Sequence, residues 1–184
     1  MPHRFTEPTP TSLGRGVHIE VFISSWEIEC CAPAPVVGEP ASWVLTFVGP
    51  SDVWPELDHD RAWHVQHRDG ATWLTDGPVS ARWSEYSGPP PQPGHRRVRG
   101  SLAGGIHEEG PRTTGTVQRV RFATCTYRPV EPRRLEPVPG TLTLTDVPEA
   151  NRSLFFDFDR DVRLNGQDAD QPMSVGVLLD LTVT

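Results

Sequence analysis

Lysine is absent from this chain of 184 residues, and all 17 of its cationic side chains are Arg. With 24 Asp and Glu the formal net charge is -7, which excludes a basic, histone-like protein. The missing Lys reads as the coding bias of a GC-rich genome rather than as chemistry. Cysteine is scarce too: three cannot all pair within the chain, and two are adjacent, Cys30 and Cys31. A disulfide scaffold is not expected, and a reducing cytoplasm is. Long apolar runs are missing as well. Val17 to Ile23 is broken by His18 and Glu20, far short of the roughly 20 residues that span a bilayer. The N-terminus has no apolar leader core, so no secretory signal is expected. No segment keeps a long 3.6-residue period, which excludes a coiled coil.

What is abundant is proline (20), glycine (16) and, for this size, tryptophan (6). Large rings and β-branched runs need burial, which argues against wholesale disorder. Val17, Ile19, Val21 and Ile23 alternate with polar neighbours, the period of a half-buried strand. Trp43/Leu45/Phe47, Trp63/Val65, Ala71–Leu74, Val79/Ala81/Trp83, Thr116–Tyr127 and Leu142/Leu144 repeat the signal. So do Leu154–Phe158, Val162/Leu164 and Val175–Val183. Asp69-Gly70 and Asn165-Gly166 read as hairpin turns, and Pro55-Glu56-Leu57 as the best short helical turn. About nine short strands between Gly/Pro turns predict an all-β fold, a small antiparallel barrel or sandwich with Pro-rich loops. Residues 1–16 are expected as a flexible tail and 17–86 as a Trp-rich β unit. Residues 87–95, SGPPPQPGH, are a loop or linker. Residues 96–184 form a second β unit or continue the first, so two packed β subdomains stay open.

Charge is distributed in blocks. Residues 1–95 hold 5 Arg against 12 acids, 96–134 hold 9 against 3, and 135–184 hold 3 against 9. Cross-strand pairing between the last two blocks is the simplest use of that pattern. The alternative is a phosphate-facing surface of Arg96, Arg97, Arg99, Arg119, Arg121 and Arg128 with Tyr127 beside it, since Arg suits bidentate phosphate contacts. The acidic total argues against nucleic acid as the main partner.

Trp43, Trp63 and Trp83 sit in alternating patterns and read as core. Trp54, between Val53 and Pro55, is the Trp expected at the surface, where it would stack on a ligand. The segment Trp26-Glu27-Ile28-Glu29-Cys30-Cys31, then Val37-Gly38, then Ala41-Ser42-Trp43, resembles the opening of a family of uncharacterised small actinobacterial proteins. Those proteins carry a Trp, a Cys-Cys pair, a Val-Gly turn and a second Trp in this order. This chain has Ala32 where they commonly have Gly. The resemblance implies lineage and fold, with no activity to carry over.

His59, His64 and His67, with Cys30 or Cys31, supply enough N and S donors for a zinc site. On a strand His64 and His67 have opposite parity, so they converge only if the chain bends. Solvated histidines are the simpler reading. The vicinal cysteines read as one core and one incidental Cys, as metal ligands, or as a redox pair. A vicinal disulfide is strained and uncommon. Asp157, Asp159 and Asp161 resemble the start of a calcium loop, but Val162 and Asp168 stand where Gly and Glu belong. His107 beside Glu108 is the one obvious His–acid neighbour pair, and no nucleophile, phosphate-loop or dinucleotide motif accompanies it. No cofactor is expected. The reading is a non-enzymatic β-rich binding or accessory protein engaging a protein partner. A metal-dependent enzyme and a single-stranded nucleic-acid binder acting through residues 96–134 are the alternatives.

Overall fold

The computed structural model describes residues 16–106, 109–131, 134–163 and 170–184. In chain order the elements begin β1 (Val17–Ser24), α1 (Ser25–Cys30), β2 (Pro40–Val48), β3 (His59–Arg68), β4 (Ala71–Asp76) and β5 (Val79–Trp83). They continue β6 (Gly94–Gly105), β7 (Arg112–Glu131), β8 (Arg134–Pro137), β9 (Thr143–Val147), α2 (Arg152–Arg163) and β10 (Gln171–Val183). Strand pairing runs β10-β1-β6-β3-β4-β5-β2-β7, and β7 pairs back with β10. That closes an eight-stranded barrel, with β8 and β9 added on β7. The all-β barrel expected from the period-two patterns is the fold. Strands from both sides of residues 87–95 alternate around it, since β6 pairs with β1, β2 and β3.

Alternation explains the core. Ile19, Val21 and Ile23 of β1, Trp63 and Val65 of β3, and Leu179 and Leu181 of β10 face inward and are buried together. The Asp69-Gly70 turn is as expected: both residues have positive φ, 54° and 72°, which a two-residue hairpin loop of this hand requires. In β7 the pairing with β10 shifts register between Asp180 and Leu181. Gln118 is the extra residue, which puts Val117 and Val120 on the inner face and Arg119 and Arg121 on the outer. Gly176 packs so closely on β1 that a Cβ there would lie 2.1 Å from the Ile23 carbonyl oxygen, so no other residue fits.

Two of the expected strands are not strands. Leu154–Phe158 and Val162 belong to helix α2. Asn151 caps it, its Oδ1 accepting from the Leu154 amide at 3.2 Å. Leu154, Phe155 and Phe158 then share a face, and Phe155 packs edge-on against Phe122 with ring centroids 5.2 Å apart. The stretch from Trp26 to Cys30 is helix α1, whose Ile28 joins the same core. Pro55–Leu57 forms the short 3-10 turn expected there. Asn165-Gly166, Leu164 and residues 1–15 lie outside the described residues.

Candidate functional site

The ring of strands is continuous, but its joint between β1 and β6 is thin. Its whole length pairs antiparallel with β10, from Val17↔Val183 to Ser24↔Gly176, but its other edge meets β6 at Phe22↔Ala103 alone. N-terminal to that point, Val17–Val21 has no strand partner on this edge among the described residues, and a cleft of about 600 Å³ opens there. Its floor is apolar: Ile19, Phe47, Trp63, Leu102 and Leu181, all buried in the barrel core. Its rim is polar, with His18, Glu20, His59, Asp60, Arg61, Gln118 and Asp180. The mix of apolar floor and few polar groups is typical of a ligand site, as is the volume.

Side chains reach across the opening. Arg61 Nη1 donates to the His18 carbonyl oxygen at 3.0 Å, and the same guanidinium holds Asp76 at 2.7 Å. His59 pairs with Glu20. Behind them a row of charges crosses the outer face of the wall. Arg121 contacts both Glu20 and Asp180, and Arg119 holds Asp146 through two bonds of 2.6 and 2.8 Å. Burial alone would raise the Glu20 carboxyl, but the Arg121 and His59 contacts outweigh it and hold it below the usual carboxylate range. Asp146 is held low by Arg119, and Asp170 by Arg128. These are the cross-strand pairs expected between the Arg-rich and acidic blocks.

Other expected site residues fall elsewhere. All three histidines lie on β3, yet each has its own partner: His59 the Glu20 carboxylate, His64 the His95 ring at 4.9 Å, and His67 the Thr72 hydroxyl at 2.8 Å. Cys30 and Cys31 are disulfide-bonded to each other at the exposed end of α1, so neither is a core residue nor offers a thiolate. Among the described residues no group of three His, Cys, Asp or Glu is placed to hold a metal. Straight β3 spacing is the reason, since it projects His64 and His67 to opposite faces. Asp157, Asp159 and Asp161 lie on α2, a helix and not a calcium-type loop. His107 and Glu108 are outside the described residues.

Trp54 is not the exposed Trp. It packs on Phe22 at 5.7 Å, and its Nε1 points to Cys125 Sγ at 3.5 Å, in a small second core on the outside of the barrel. Tyr127 is half-buried in that core, and burial pushes its hydroxyl up. The exposed ring is Trp26, at 56%. Arg96, Arg97 and Arg99 are exposed on β6, separate from Arg119 and Arg121 on β7. Sequence reasoning missed Glu20, Arg61 and Asp180. The outward parity of Glu20 and Asp180 was legible, but what makes them neighbours is the non-local β1–β10 pairing, while Arg61 shares the inward face of Trp63 and reaches His18 and Asp76.

A model of a family of unknown function (DUF6578) matches residues 17–183, and the chain belongs to that family. No curated protein and no solved structure matches the chain.

Proposed function

We propose that this chain is a non-enzymatic binding protein that takes an extended segment of a partner protein along the open edge of β1. The observation that carries this reading is the unpartnered Val17–Val21 edge lying directly over an apolar cavity. An unpaired strand edge offers backbone donors and acceptors to any extended chain, and pockets beneath it select alternate side chains. Ile19, Phe47 and Trp63 would receive an apolar side chain of the segment, while Glu20, His59 and Asp180 face its polar neighbours at the rim. A metal-dependent enzyme built on His59, His64, His67 and a Cys has no comparable support, because those groups point to separate partners.

Selection from a displayed library of random peptides tests this. Wild type should enrich peptides with apolar residues at alternate positions and bind them with micromolar affinity. Ser101→Trp fills the cavity from β6 and should weaken them at least about ten-fold, a loss of about 1.4 kcal/mol. Gln118→Trp, at the exposed rim, gives a second block that leaves the core untouched. Absence of enrichment, or equal binding by both folded variants, would overturn the proposal.

A further inference from the structure

A second surface lies on the outer face of the β3–β6 pair. Alternation along β6 puts His95, Arg97 and Arg99 on one exposed row, spaced about 6.6 Å apart as every second residue of a strand is. Register places His64 beside His95 and Ala62 beside Arg97, with Asp60 the carboxylate opposite Arg99. The two imidazoles lie 4.9 Å apart, and His64 Nδ1 is buried with no hydrogen-bond partner among the described residues. On the same face, two residues along β3, Gln66 pairs with Trp73 of β4, whose ring carries the Arg68 guanidinium at 5.1 Å.

The arginines fall into two groups, those held by carboxylates and those, Arg82, Arg96 and Arg112 among them, with no ion pair among the described residues. Arg61, Arg119, Arg121, Arg128 and Arg134 are all held by carboxylates. Among the described residues neither Arg97 nor Arg99 has an ion-pair partner, although the chain as a whole is acidic. Arg97 and Arg99, without an ion pair although Asp60 stands opposite Arg99, lie beside the His64 and His95 rings and near Trp73, an arrangement that favours an extended polyanion with flat groups to stack. Duplex DNA would need an element that enters a groove, and this face is the side of two barrel strands. A lipid headgroup would use the charge but not the stacking surfaces. Successive phosphates of an extended single strand repeat at a spacing comparable to that of the Arg97–Arg99 row.

We infer that the outer face of β3 and β6, through His64, His95, Arg97 and Arg99, binds single-stranded nucleic acid. The site adjoins the β1 cleft at Asp60, but none of its four residues lines that cleft. Fluorescence anisotropy with labelled mixed-sequence oligonucleotides of about 12 nucleotides tests it, in DNA and RNA form, from low to physiological salt. Binding should be micromolar at low salt. Arg97→Ala with Arg99→Ala should weaken it at least about ten-fold and lower the logarithmic salt slope by about 1.4, the value for two phosphate contacts on a single strand. Both side chains are exposed, so the variant should keep the wild-type unfolding midpoint. The paired Arg128→Ala with Arg134→Ala should change affinity less than about two-fold. No binding at low salt would overturn the inference, as would equal weakening by the control variant. Inorganic polyphosphate or phosphoinositide vesicles binding as tightly as the oligonucleotides would overturn its assignment to nucleic acid.

Discussion

Replacing Arg121 with Ala should lower the stability of the barrel by about 2–4 kcal/mol at neutral pH, because it leaves two part-buried carboxylates facing each other. Arg121 is 13% exposed and is the group that Glu20 and Asp180 share. The register sets Glu20 directly opposite Asp180 across β1 and β10, so without the cation the two acids repel. The effect has a definite pH dependence. In the wild type the folded-state pKa of Glu20 is depressed, so its stabilisation is present above the ordinary carboxylate pKa. That stabilisation is lost as pH falls through the depressed value. In the variant, acid relieves the repulsion by protonating one of the pair. The stability difference should therefore be widest at about pH 7 and shrink at about pH 3.5, read from denaturant unfolding at each pH. A difference that stays constant across that range would mean that Arg121 acts through packing and not through its ion pairs.

The second large effect is at Phe155. Phe155→Ala should cost about 3–5 kcal/mol, and Phe156→Ala within about 0.5 kcal/mol of nothing. Phe155 is fully buried against Phe122, whereas its neighbour is 67% exposed. Helix α2 closes on the barrel through Leu154, Phe155 and Phe158, which the core accepts along one helical face. Had 154–158 been a strand, Leu154, Phe156 and Phe158 would share a face, and Phe156 would be the costly residue. Equilibrium unfolding of the two single variants separates these arrangements directly.

That segment also shows where the sequence stops being legible. Two adjacent Phe followed by alternating Asp mimic a strand period, and the signal for a helix was Asn151 placed three residues before Leu154. In β1 and β5 the buried faces fall where the period-two pattern put them, whereas bulges in the β7–β10 pair shift the faces, and Ser174 to Leu179 of β10 are buried on both sides. Pairing was not legible. Nothing local says that the last strand closes on the first, or that β6 meets β1 at one residue pair and leaves an edge open. The cleft is made by that topology, so Glu20 and Asp180 could be read as outward-facing acids but not as neighbours. Trp54 was misplaced for a similar reason. Its loop residues Val53 and Pro55 suggested exposure, and only the fold brings Phe22 and Cys125 beneath its ring. The Arg-rich block was visible, but that Arg119, Arg121 and Arg128 of β7 meet carboxylates while Arg97 and Arg99 of β6 have no ion pair among the described residues is decided by the fold.

The claim on which the rest depends is that the Val17–Val21 edge of β1 is left unpaired beside the β6 joint, and amide hydrogen exchange resolved by residue measures it. In the free protein, alternate amides between Val17 and Val21 should be protected by β10, while those facing the cleft should exchange at least about ten-fold faster. A selected peptide should slow the fast set and leave the β10-facing set unchanged. Uniform protection of all five residues in the free protein would show a paired β1 edge and contradict the account.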